Sequence, residues 1–297
     1  MFFVLLFLCN TLFADLPKVT YSFSTAPIDV VIPCAPKDLD TLELCIQSVR
    51  EYGQNVRRII VVSKERLTHS AEWFDEHNYP FSIRDIALEI FEQNDKRTDL
   101  FLLSPRNRSG WIFQQFLKLY APLVIPDISE NVLILDSDVI FLHPMQFMTN
   151  SGAPIFNTGS EFYSHYFTHA KKLLPDLRRV YPQHSGICHY MLFQRPILDD
   201  LFALIETKHR VEPWKALARC IDQGALKLSC LSEYEIYFNF TQLRTDQSII
   251  RPLKWIQLGK WDQMESLRSQ NFFYMACQEW IRSCAPSTID IHQGLTP

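Results

Sequence analysis

With 297 residues, 47% of them hydrophobic, the chain is long enough for one large core. Its 17 prolines against 8 glycines mark a loop-rich globular protein, which excludes a repeat array or a low-complexity chain. A formal net charge of −4, with no long run of like charge, gives no electrostatic basis for binding nucleic acid.

The apolar segment Met1 to Ala14 is too short for a bilayer span, which needs roughly 20 residues. It ends in Leu12-Phe13-Ala14 ahead of Asp15, a cleavage-like site, and reads as a signal peptide or a short hydrophobic N-terminal segment. An exported or membrane-associated protein follows. Because the segment carries no Lys or Arg, a mispredicted start and a cytoplasmic protein is the alternative. The cysteines beyond Cys9 form an odd set without a CxxC pair, which argues against structural zinc. Cys45 falls on an apolar helix face and is expected in the core.

Ile28 to Cys34 reads as the first core strand. A helix follows, with Asp38 as N-cap, Leu39, Leu42, Ile46 and Val49 at helical spacing, and Gly53 as a C′ stop. Arg58 to Ser63 is the second strand, so the opening is a βαβ unit with parallel strands. Phe81 to Ile90 and Leu100 to Leu103 are expected as short strands or turns. Ser109 to Ala121 is a helix with Ile112, Phe116 and Leu119 on one face, stopped by Pro122.

The most informative stretch is Asn131 to Pro144. Apolar Val132 to Leu135 reads as a strand buried on both faces, and it runs into Asp136-Ser137-Asp138. Carboxylates at the C-terminal end of such a strand sit where open α/β sheets bind ligands, and a divalent cation is their natural partner. Beyond Met145, Glu161 to Leu174 and Pro196 to His209 look helical and Ile187 to Gln194 looks like a strand. Glu233 and Glu235 lie in an aromatic-rich run, Leu231 to Phe240, where burial raises a carboxyl pKa toward that of a general base. The alternative is a capping box on Ser232. Composition does not separate the two glutamates. His184, His189 and His292 are each candidates for a further metal ligand.

Three segments together resemble the GT-A class of nucleotide-sugar glycosyltransferases: Ile28 to Pro36, Phe116 to Pro126, and the DxD motif in Leu133 to Phe141. The Gly110 to Gln115 and Ser232 to Glu235 segments are similar to those of a group of uncharacterised bacterial proteins of this class. The resemblance implies an α/β, GT-A-like fold with a mostly parallel central sheet flanked by helices. It implies one domain over residues 15–297, with a nucleotide- and metal-binding half (about 27–144) and an acceptor-side half (about 145–297). It further implies Mn²⁺ or Mg²⁺ on Asp138, with Asp136 on the metal or the ribose and His292 as a late ligand. Lys118, Lys37 and Asp38 would lie near the nucleotide donor, a UDP- or GDP-sugar. The acceptor would be a carbohydrate or glycolipid, with peripheral membrane association. Two other readings are a haloacid-dehalogenase-type phosphatase, which also runs an apolar strand into Asp-x-Asp, and a non-catalytic exported carbohydrate-binding protein on a transferase-like fold.

Overall fold

The structure is a computed structural model that describes residues 16–278, 281 and 290–292, the last three as backbone. The segment 1–14 and Cys284 lie outside the described residues. β1 (Ile28–Pro33), α1 (Leu39–Tyr52) and β2 (Val56–Ser63) form the expected βαβ unit. β3 (Glu72–Asp75), α2 (Ile83–Ile90), α3 (Asp95–Leu102) and α4 (Ser109–Val124) lead to the acidic strand β4 (Asn131–Leu135). After it come β5 (Val139–Phe141), β6 (Ile155–Phe156), α5 (Ser164–Leu173), β7 (Tyr190–Gln194), α6 (Arg195–His209), α7 (Pro213–Arg219) and α8 (Glu233–Arg244). The last elements are β8 (Ile249–Ile250), β9 (Trp255–Gln257), α9 (Met264–Ser269), β10 (Tyr274–Ala276) and β11 (Asp290–His292).

The central sheet has the order β3-β2-β1-β4-β7. Its first four strands are parallel, and β7 closes the edge antiparallel to β4, with Leu135 opposite Tyr190. This is the mostly parallel sheet flanked by helices that was expected. Alternate residues enter opposite cores, as the two-residue strand period demands. Val31, Val132, Ile134 and Phe193 join α2, α4, α6 and α8 on one face. Val30, Leu133, Leu135 and Leu192 join α1 and the second sheet, β11-β9-β10-β5, on the other.

Four local expectations are corrected. Phe81 to Ile90 and Leu100 to Leu103 fall largely in helices, not in short strands or turns, because Ser82 and Asp85 form a reciprocal capping box and Asn94 caps α3. Pro122 does not stop α4, which continues to Val124, since a proline in the last turn forfeits only a terminal hydrogen bond. Asp38 occupies the N-cap position of α1 without a capping hydrogen bond. Gly53 follows α1 with an ordinary φ of −73°. Glycine is needed there for space, because a Cβ would lie 2.6 Å from the Val49 carbonyl oxygen. Cys45 is in the core as expected, and the six cysteines among the described residues are all buried.

His169 of α5 gives this core a pH limit. Its ring is buried, with Nε2 2.9 Å from the Leu217 carbonyl oxygen and Nδ1 without a hydrogen-bond partner. Burial pushes the imidazolium pKa down to about 4. A folded pKa below the unfolded value of about 6.5 means stability is complete above that pH and falls as the pH drops toward 4, by up to about 3 kcal/mol. Chemical denaturation at neutral pH and near pH 4.5 is expected to show this loss in the wild type and a shallower slope in His169→Gln. Equal slopes would remove His169 from the account.

Candidate active site

In a parallel sheet the chain leaves every strand on the same side, so the ends of β1 and β4 open onto one crevice. There lies a cavity of about 740 Å³. β1 delivers Lys37 and Asp38 through the turn that follows it, and β4 delivers Asp136, Ser137 and Asp138. Because β7 is antiparallel to β4, its beginning lies beside the end of β4. The His189 carbonyl accepts from the Asp136 backbone N–H (2.9 Å), which places His189 in the same cavity.

α4 faces the cavity with Trp111, Gln114, Gln115 and Lys118, the three- and four-residue spacing of one helix face. The Gly110 to Gln115 segment therefore lines the crevice. α8 contributes Ser232, Glu233 and Tyr234 from its N-terminus. Ser232 accepts a hydrogen bond from the Glu235 backbone N–H (3.2 Å), so the cap is real. The Glu235 side chain is instead bound to Ser185 Oγ (2.6 Å) and Asn239 Nδ2 (2.8 Å). Gly186 fixes this helix start against the loop carrying His189: a Cβ on it would sit 2.6 Å from the Tyr234 carbonyl oxygen.

Lys118 is the centre of the charge network. It is 3% exposed, so it is not the solvated lysine that a helix surface usually carries. Its Nζ lies 2.5 Å from Asp136 Oδ1, 2.7 Å from Glu233 Oε1 and 4.5 Å from the centre of the Tyr234 ring. Burial works against the ammonium, but the two carboxylates outweigh it and raise its pKa. For Asp136, burial raises the carboxyl pKa while Lys118 and His189 lower it further, to about 2. His189 Nδ1 stands 3.2 Å from Asp136 Oδ2, and this carboxylate outweighs burial to raise the imidazole pKa. The amide nitrogens of Gln257 and Gln278 lie 3.0 Å from its two ring nitrogens. Burial dominates at Glu233 and pushes its carboxyl up despite Lys118.

The structure thus brings Lys37, Asp38, Lys118, Asp136, Asp138 and Glu233 together at one cavity, and leaves Glu235 out of the lining. Burial raises the Glu235 carboxyl as it does that of Glu233, but its contacts tie α8 to the Ser185 loop. His184 pairs with Thr158 Oγ1 (3.0 Å) outside the lining. His292 is in β11, opposite Trp255 of β9, and its side chain lies outside the described residues. His189 belongs to the network, although nothing in its local sequence ranks it above the other two histidines. One backbone feature marks it: a φ of +67°, unusual for a residue with a Cβ and of a kind that gathers at functional sites.

A divalent cation fits this donor set in part. Asp138 offers hard oxygen donors at the cavity wall, the type that Mn²⁺ and Mg²⁺ prefer. Asp136 does not fit as a direct ligand in this arrangement, since its oxygens are engaged by Lys118 and His189. Among the described residues no three His, Cys, Asp or Glu side chains gather into a metal cage.

Among solved structures, the fold is similar to the apo form of mouse xyloside xylosyltransferase 1, with a TM-score of 0.43 and 12% identity over 86% of this chain and 98% of that one. It is also similar to a glycosyltransferase involved in the glycosylation of the major capsid of PBCV-1, with a TM-score of 0.32 and 12% identity over 84% and 93% of the two chains. No curated protein matches the chain. Residues 24–273 match the profile described as Family of unknown function (DUF6492), and the chain belongs to that family.

Proposed function

We propose that the protein transfers a glycosyl group from a nucleotide-diphosphate sugar to a hydroxyl of a carbohydrate or glycolipid, with Mn²⁺ or Mg²⁺ as cofactor. The observation that carries this reading is the convergence of Asp138, the Lys118 cation and the buried Glu233 on one cavity at the carboxyl ends of β1 and β4. Its volume of about 740 Å³ falls among those of small-molecule sites, roughly 300–1,000 Å³. A divalent cation at Asp138 would stabilise the negative charge that grows on the departing diphosphate.

The chain's own residues supply the rest. Lys118 is a positive charge held in place before any substrate arrives, and such a charge acts more strongly in a partly dried cavity than in water. Lys37 stands at the mouth, where it can meet the nucleotide's phosphates. In an inverting reaction Glu233 takes the acceptor hydroxyl's proton. The acceptor oxygen then bonds to the anomeric carbon, and the bond from that carbon to the diphosphate breaks with its electron pair going to the diphosphate. A retaining reaction does not need that base. Engagement of Asp136 by Lys118 and His189 counts against the nucleophilic aspartate that a phosphatase needs.

Thermal melting with UDP, GDP, CDP and TDP, each with and without Mn²⁺, tests this reading. A ligand at about 100 times its Kd adds roughly 2.7 kcal/mol of stability. One nucleotide is expected to raise the melting temperature in a metal-dependent way. No shift with any of the four would make a non-catalytic carbohydrate-binding protein the better reading.

A further inference from the structure

Large apolar side chains are exposed in chain segments next to those that line the cavity. Leu100 and Leu103 project from the end of α3, 65% and 81% exposed, and Leu228, Phe162 and Tyr163 are exposed as well. These positions are far apart in sequence, but hydrogen bonds and a shared cavity wall tie together the segments that carry Leu103, Leu228 and the two aromatics. Asn107, which lines the cavity, donates to the Leu102 carbonyl (3.0 Å), and Arg108 donates to Ser229 Oγ (3.1 Å), the residue after Leu228. Ser229 and Tyr166 both line the cavity, and Tyr166 is one helical turn from Phe162 and Tyr163. Basic groups are interleaved with them. Arg106 and Lys227 are exposed beside Leu103 and Leu228, and Arg179 lies 5.2 Å from the Phe162 ring centre. The nearby acids of α3, Asp95 and Asp99, are already paired with Arg84.

We propose that this face docks on an anionic phospholipid bilayer, with the cavity mouth turned toward the membrane. Apolar side chains that enter the headgroup boundary, ringed by Lys and Arg that meet anionic lipid, are the chemistry of a protein lying on a membrane. Among the described residues no helix is long and apolar enough to cross one. The docking stands on this face alone. Its consequence, that the acceptor is an amphiphile presented from the bilayer, rests on the glycosyl-transfer reading.

The test is co-sedimentation of the full chain with vesicles of phosphatidylcholine alone and of phosphatidylcholine mixed with phosphatidylglycerol. The wild type is expected to bind the mixed vesicles and to release them as salt rises. The double variant Leu103→Glu/Leu228→Glu is expected to bind at least about tenfold more weakly, as two lost leucine insertions require. Both leucines are exposed, so the variant is expected to fold, which its melting temperature checks. Wild type and variant carry the same N-terminal segment, so the difference between them reads this face. Equal binding by the two proteins, equal binding to both vesicle types, or no binding overturns the proposal. So does a wild-type dimer that the variant abolishes in analytical ultracentrifugation, because the face would then belong to a second copy. Nucleoside-diphosphate binding is measured separately without vesicles, and its absence removes the transferase reading while leaving the docking result intact.

Discussion

Replacing Lys118 with methionine is expected to destabilise the fold by about 3–5 kcal/mol, the usual cost of removing one partner from a buried ion pair. The effect is large because Lys118 serves two carboxylates at once, and Glu233 is 1% exposed. With the cation gone, Glu233 loses its counter-ion and Asp136 keeps only His189. The Glu233 carboxyl, already raised by burial, rises further, so the variant is relatively more stable at acid pH and loses that stability as the pH rises through the new value. Urea denaturation of Lys118→Met at pH 5 and pH 7.5 reads both effects. The deficit is expected to be smaller at pH 5, and adding Glu233→Gln is expected to restore part of it at pH 7.5. A loss below about 1 kcal/mol at both pH values would show that the triad is not a buried network.

Asp138→Asn is expected to cut glycosyl transfer by roughly 10²–10³-fold or more, the scale for removing a group that stabilises transition-state charge, while the protein stays folded. The change keeps the side chain's shape, and the backbone contact from Cys277 N–H to the Asp138 carbonyl (2.8 Å) does not involve the carboxylate. The two aspartates of the motif then differ in kind. Asp136→Asn removes the partner of both Lys118 and His189, so it is expected to lower stability as well as activity. Measured side by side, melting temperature and transfer rate separate these outcomes. Transfer by Asp138→Asn at the wild-type rate with Mn²⁺ would overturn the placing of the metal on Asp138.

The sequence by itself determined the core strands β1, β2 and β4 and the acidic strand end at which the cavity opens. Runs such as Val30 to Ile32 and Val132 to Leu135 are apolar at every position, and only a strand covered on both faces buries such a run. The acidic end of β4 followed from the same pattern, because two carboxylates cannot continue into a core. Local capping chemistry was also present in the sequence, as Ser82-x-x-Asp85 before α2, but the apolar residues of Phe81 to Ile90 outweighed it in the strand reading. Pro122 misled for a related reason. The cost of a proline depends on how many helical bonds remain beyond it, which the residue alone does not reveal.

The roles of individual side chains were decided only by tertiary structure. Glu233 and Glu235 have the same composition around them, and the rotation of α8 about its axis sends one to Lys118 and the other to Ser185 and Asn239. That rotation is set by what α8 packs on, including the backbone approach at Gly186. Lys118 reads equally well as a solvated lysine until α4 is laid against β4 and α8 and its charge meets two carboxylates. His189 enters the site because β7 runs antiparallel to β4, a pairing that joins residues 53 positions apart. Period and hydrophobicity act over a few neighbouring residues and are written along the chain. Charge pairing acts over 3 Å in space, between residues that only the fold brings together.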